Sequence, residues 1–215
     1  MATTKIDRTQ VADTALRLLN ELGLDGLTLR AIAKELDVKA PALYWHFKNK
    51  QDLVDEMATV MYRRMTADGV PGADSGSWQE GLRAFNRALR AMLLAYRDGA
   101  KVYGGARFTG TDHAEAMEVY LDVMVRSGFA FRDAVRAAMT SYHYTMGFVE
   151  EQQGSDPRPG ERGPGIDVAE RAEQLAGYPL AAAAGVEMFE GFDERFEEGL
   201  GVVVAGIEAV YLAGG

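Results

Sequence analysis

Cysteine is absent from the 215 residues, which rules out a disulfide framework, a thiolate nucleophile and a zinc–thiolate centre. Histidine is scarce: His46, His113 and His143 fall in no HExxH pattern, and the chain has neither a Walker loop nor a GxSxG elbow. His143 and Glu150 lie seven apart on one helical face and are the pair a hydrolase-like enzyme would use. No nucleophile or third ligand accompanies them, so a non-enzyme without metal or cofactor is expected. No apolar run approaches the ~18 residues of a membrane span, and no basic-then-apolar leader opens the sequence. A cytoplasmic protein with no membrane partner is therefore expected. Period-two alternation and internal repeats are missing too, which leaves an all-α fold class.

What is present is a hydrophobic fraction of 47% against 26% charged residues, enough for one large or two modest domains with a real core. The net charge of -9 argues against a nucleic-acid partner when taken alone. Splitting the chain changes that reading. Residues 1–65 hold 10 Lys+Arg and 9 Asp+Glu, net +1, so the remaining 150 residues carry -10. Acidity is thus confined to the part that follows.

Within the balanced part, Thr28 can cap a short helix whose Ile32, Ala33 and Leu36 share one face. Asp37-Val38-Lys39 then makes a tight turn, and Pro41 suits the first turn of a second helix of barely two turns. Two short helices joined in this way form a helix-turn-helix, whose second helix fits a DNA major groove. Leu43 and Phe47, four apart, make the inward pair of that helix. Tyr44, Trp45 and His46 are left partly or wholly outward beside Lys39, Lys48 and Lys50, which suits phosphate and sugar contacts. A surface helix with an aromatic patch for a protein contact fits the same residues.

Elsewhere the spacing predicts an amphipathic helix from Asp7 or Thr9 to Leu22, stopped by Gly23, with Val11, Ala15, Leu18, Leu19 and Leu22 on its apolar stripe. Another runs from Lys50 to about Arg64. Gly69 to Ser77 is turn chemistry and reads as a linker. Helices then follow over Trp78–Arg97, Thr111 or Asp112 to Ser127, and Phe131 to about Glu151, with a short irregular one before Gly104. Gln152 to Gly165 has no core residues and is expected to be mobile. Short helices over Ile166–Leu175 and Pro179–Phe189 precede a last one over Asp193–Leu212. Its Gly199, Gly201 and Gly206 cost helix stability, which suggests backbone brought close to another helix. The Phe131 and Asp193 helices carry apolar residues on more than one face, fitting either an internal core position or an interface.

Leu43-Tyr44-Trp45-His46-Phe47-Lys48-Asn49-Lys50, with Gly26-Leu27-Thr28 upstream, resembles the DNA-binding domain of the TetR family of transcriptional regulators, and among them the tetracycline repressors. Ser77-Trp78-Gln79, Tyr96 to Val102 and Gly147 to Gln152 resemble stretches of their core domain in the same order. The likeness covers most of residues 5–152. It implies an N-terminal three-helix DNA-binding domain with the helix-turn-helix over residues 1–50, a connecting helix over 51–68, a linker over 69–77, and a larger helical ligand-binding and dimerisation domain over 78–215. A homodimer through the helices near 131–151 and 193–212 follows from it, with double-stranded operator DNA and a small-molecule effector as partners.

The resemblance also places residues. Thr28, Arg30, Pro41, Tyr44, Trp45, His46 and Lys50 fall on DNA-contact positions, while Lys39, Ala40 and Ala42 fall on matching positions with different chemistry, so a different operator sequence is expected. Arg30 suits bidentate contact with guanine or, as the plainer alternative, a surface ion pair. The family's drug–magnesium ligands are replaced: the matching positions are Thr66, Phe85, Tyr103, Val119 and Tyr142, with Arg107 and Glu150 retained. One carboxylate anchors magnesium poorly. Phe85, Leu89, Tyr103, Phe108, Val119, Ala134 and Tyr142, with Val186 and Phe189 from a second copy, then imply a mostly apolar or aromatic ligand, anchored by Arg107, His143 or Glu150. The plainer alternative is that these rings fill the core. A repressor released by its ligand is the expected function, with an effector-independent architectural DNA binder as the alternative.

Overall fold

The computed structural model describes residues 7–155 and 165–212. Eleven α-helices and no strand occur among them, as the missing period-two pattern predicts. The chain divides into two compact units, 1–127 and 128–215.

In the first unit α1 (Arg8–Gly26) starts on Asp7, whose carboxylate accepts from Gln10 N at 2.8 Å. Gly23 interrupts it with φ +69°, a value that favours glycine, where the sequence predicts the stop. Leu22, the last residue of the predicted stripe, is exposed. The short helices α2 (Leu29–Glu35) and α3 (Ala40–Tyr44) follow, then α4 (Lys50–Met65), α5 (Trp78–Leu94), α6 (Gly99–Tyr103) and α7 (Asp112–Arg126). Asn49 caps α4 by accepting from Asp52 N at 2.9 Å, and Ser77 caps α5 by accepting from Glu80 N at 3.2 Å. Residues 69–77 join α4 to α5 inside this unit.

The hub is α4, which packs on α1, α5 and α6. Neighbours on several sides bury an unbroken run from Glu56 to Tyr62 along with Leu53 and Val54, so its pattern is less one-sided than that of a surface helix. Gly99 starts α6 so close to α5 that a Cβ there would overlap the Leu93 carbonyl. Helical spacing puts Met117 of α7 on one face with Tyr120, Leu121 and Met124, yet Met117 is exposed, and Ala116 and Met124 take the buried positions.

The second unit holds α8 (Phe131–Ser155), α9 (Val168–Gln174), α10 (Pro179–Phe189) and α11 (Phe192–Tyr211). The predicted loop after Glu151 begins later, because α8 continues through Gln152 to Ser155; residues 156–164 lie outside the described residues. α8 packs on α11, and α9 on α10. Ala134, Ala137, Ser141, Thr145 and Val149 form the buried stripe of α8. Tyr144 stacks on Phe196 with ring centres 5.6 Å apart and donates its hydroxyl proton to the Phe196 carbonyl at 2.9 Å. That hydroxyl occupies the space a Cβ at Gly199 would need, the close helix approach predicted for this glycine. Gly201 and Gly206 have open space above them.

Three first-unit carboxyls are held below the ordinary aspartate range. The Lys48 amide lowers Asp52, and the Arg63 guanidinium lowers Asp112. Burial raises Asp98, but the Leu24 amide and the Lys101 ammonium outweigh it. A depressed folded-state pKa contributes stability above the unfolded value of about 3.9, lost as pH falls through the lower folded value. Melting temperature should therefore hold steady from pH 7 to about 5 and fall below about pH 4. A protein melting equally well at pH 3 would contradict the pairing.

Candidate functional site

The helix-turn-helix is built by local bonds. Thr28 Oγ1 accepts from Ala31 N at 3.1 Å and starts α2. Asp37, at φ +53°, reverses the chain, and Val38 N donates to the Ala33 carbonyl at 2.9 Å. Pro41 lies in the first turn of α3, where a missing amide proton costs nothing. The α3 segment closes with His46 N and Phe47 N both donating to the Leu43 carbonyl at 2.9 Å.

Leu43 and Phe47 are fully buried, whereas Tyr44 is 56% and Trp45 90% exposed and His46 is half-buried. A fully exposed indole is unusual without a partner. Arg30, Lys39, Pro41, Lys48 and Lys50 are exposed and Ala42 half-buried. No carboxylate among the described residues pairs with Arg30 or Lys39, so the ion pair weighed for Arg30 does not form among them. The Lys50 ammonium donates to the Leu24 carbonyl at 2.5 Å, which ties the start of α4 to the end of α1.

Sequence reasoning missed Arg8. Its guanidinium lies over the Phe47 ring at 4.4 Å, donates to the His46 carbonyl, and pairs with Glu56 at 2.9 Å and Asp52 at 3.4 Å. Burial opposes its charge, but Glu56 and Asp52 outweigh that and keep it protonated. Nothing local in the sequence signals a contact across 38 residues.

Of the residues implied for an effector, seven lie in the first unit. Tyr103 and Leu89 are buried, and Phe85 packs edge-on against Tyr120 at 5.1 Å. Phe108 touches the rings of Tyr62 at 5.3 Å, Tyr103 at 5.6 Å and His113 at 5.1 Å. The Tyr62 phenol is pushed up to about 12 by burial and by Asp112 and Glu115, so it remains a proton donor. His113 Nδ1 is buried without a hydrogen-bond partner among the described residues. Thr66 closes α4, its hydroxyl donating to the Tyr62 carbonyl at 3.2 Å. Val119 is half-buried, and Arg107 is exposed with its backbone N–H on Asp55.

In the second unit Ala134 is buried and Tyr142 half-buried, its phenol pushed up by desolvation. Val186 is exposed, and Phe189 lies under the Arg171 guanidinium at 5.5 Å. His143 and Glu150 are both exposed and no hydrogen bond joins them, so the pair weighed for a hydrolase is not assembled.

Residues 11–57 match the family model of bacterial regulatory proteins of the tetR family, and residues 70–211 that of the tetracyclin repressor-like C-terminal domain. The chain belongs to the TetR family. It is 42% identical over 206 residues to the tetracycline repressor protein class A from transposon 1721 of Escherichia coli, covering 95% of this chain and 91% of that protein. A possible TetR family transcriptional regulator from Streptomyces coelicolor A3(2) superposes with TM-score 0.82 at 38% identity, covering 95% of this chain and 100% of that one. A class A TetR in complex with 5a,6-anhydrotetracycline and magnesium superposes with TM-score 0.67 at 35% identity, covering 93% and 96%.

This TetR-family chain is accordingly a DNA-binding transcription regulator with a helix-turn-helix and a ligand-binding fold, and its homologues are regulators, not enzymes. The magnesium held by that relative is a poor match here. A threonine hydroxyl engaged in its own helix end and a neutral phenol are weak ligands for a hard cation. Among the described residues no three His, Asp or Glu side chains converge on one point.

Proposed function

We propose that the chain is a homodimeric repressor that binds a roughly palindromic operator in the cytoplasm and leaves it when a mostly apolar or aromatic small molecule binds the C-terminal helices. The supporting observation is the split on α3: Leu43 and Phe47 anchor it, while Tyr44 and Trp45 project into solvent between Lys39 and Lys48, and Arg30 of α2 is exposed as well. Rings with polar edges next to cations match a phosphate-lined groove. Thr28, Pro41, Ala42, His46 and Lys50 complete the surface.

Dimerisation is supported by apolar residues left outward on α8 and α11, among them Phe131, Met139, Val202 and Val210. Gly201 and Gly206, with open space above them, allow a second helix to approach closely. Replacement of the metal-ligand positions by Thr66, Phe85 and Tyr103 favours an effector that needs no magnesium, with Arg107 as a polar anchor and the buried Nδ1 of His113, in place of the exposed His143, as a second. The effector acts by population shift: it favours a dimer whose two recognition helices no longer match successive major grooves.

Selection of duplexes from a random-sequence pool by the full-length protein tests the reading. The enriched sequence should have dyad symmetry, and sedimentation should show two chains per duplex. A panel of planar aromatic compounds should then contain members that raise the melting temperature and release that duplex. An asymmetric consensus, or stabilising compounds that never release DNA, would reject the proposal.

A further inference from the structure

Glu56 lies near the middle of α4 and is almost wholly buried, yet it is a carboxylate. A buried charge persists only when partners compensate it, and Glu56 has one on each side. Oε2 accepts from Arg8 Nε at 2.9 Å, and Oε1 lies 3.8 Å from Arg63 Nη1. Both arginines reach further. Arg8 donates to the carbonyl of His46 at the end of α3, pairs with Asp52 and stacks on Phe47. Arg63 grips both oxygens of Asp112 at 3.0 and 2.9 Å in a two-pronged bond.

Asp112 is the first residue of α7 and ends the segment 104–111 that carries Arg107 and Phe108. Two more bonds hold that segment to the same stripe of α4, one turn apart. Arg107 N donates to Asp55 at 3.1 Å and Thr109 N to Thr59 Oγ1 at 2.9 Å. Asp55, Thr59 and Arg63 are thus successive rungs of one ladder, and among the described residues Arg63 alone connects it inward to Glu56.

We infer that Glu56 is a positioning residue for DNA binding, the buried centre of an ion-pair chain Asp112–Arg63–Glu56–Arg8 that joins the segment carrying Arg107 and Phe108 to the end of the recognition helix. The inference rests on α3 being the DNA reader. Displacing the segment draws Arg63 away from Glu56. Glu56 is then left to Arg8 alone, Arg8 turns toward it, and the carbonyl of His46 loses its donor. The chain thus has two arrangements that segment 104–111 selects, and α3 reads the result.

The test is a double-mutant cycle on operator affinity, with the full-length protein and the duplex that the native protein enriches from a random pool. Asp112→Asn should weaken binding about fivefold although Asp112 touches nothing in the helix-turn-helix. In the Glu56→Gln protein, already weakened, Asp112→Asn should change nothing further. Losses that multiply, or an Asp112→Asn protein that binds as the native one does, would overturn the inference. Should Glu56→Gln not fold, Arg8→Lys takes its place; Arg8 and Asp112 share no contact, so independent roles would again multiply. Tyr44→Ala on the same duplex separates the two failures. If it binds like the native protein, the reading of α3 is wrong and the chain falls with it; if it binds weakly while the cycle multiplies, only the chain falls.

Discussion

Removing the two exposed rings of α3 together, as Tyr44→Ala with Trp45→Ala, is expected to lower operator affinity about a thousandfold and to leave the melting temperature within a degree or two. Each ring contributes about 1 kcal/mol of net hydrogen bonding or packing on DNA. Two rings in each of two half-sites give about 4 kcal/mol, and 1.4 kcal/mol is tenfold. Neither side chain is inside the fold: the indole is 90% exposed and the phenol 56%. Surface truncations of this kind change stability by about half a kcal/mol or less. Fluorescence anisotropy for affinity and calorimetry for stability separate the effects. Unchanged affinity would reject α3 as the DNA-reading helix, and a large fall in melting temperature would show that the rings belong to the core.

Phe47→Ala, two residues away, should act through stability instead. Phe47 is among the largest fully buried side chains, and deleting such a ring costs about 3–5 kcal/mol in lost burial and cavity. Arg8 would also lose the face on which it lies at 4.4 Å. Against a total stability of about 5–15 kcal/mol that is a large share, and a drop in melting temperature of roughly 10 °C or more is expected. Operator binding should fail because α3 is no longer held, and should recover in part on cooling. A drop of only one or two degrees would mean that the unit closes around the gap, and that Leu43 alone anchors α3.

The contrast between Trp45 and Phe47 was legible in the sequence because helical spacing assigns faces: Leu43 and Phe47 share one, and three consecutive residues between them cannot. Thr28 as a cap, Pro41 in a first turn and Gly23 as a stop were legible for the same reason, since each acts on backbone within four residues. Leu22 and Met117 show the limit of that logic. Both continue a correct periodic stripe, yet both are exposed, because periodicity says which face a residue is on and not whether another helix reaches that far along it. The family resemblance supplied the DNA-contact positions, of which Tyr44, Trp45, Arg30 and Lys39 are exposed. It supplied the effector positions too, but whether rings such as Phe85 and Tyr103 fill a core or line a cavity depends on spacing between helices that no local pattern encodes.

From sequence alone come the helices, several of their ends, the outward rings of α3 and the confinement of net acidity to the later part of the chain. The first three follow from bonds and faces within a few residues of each other, the last from counting charges. Tertiary structure alone decided that Arg8 holds the end of α3, that Glu56 lies buried between two arginines, and that Asp55, Thr59 and Arg63 form a ladder to residues 107–112. Apart from Glu56 and Arg63, which are neighbours on α4, those partners are 38 to 52 residues apart, and a charge on a helix carries no mark of which distant charge will face it until packing brings the two together.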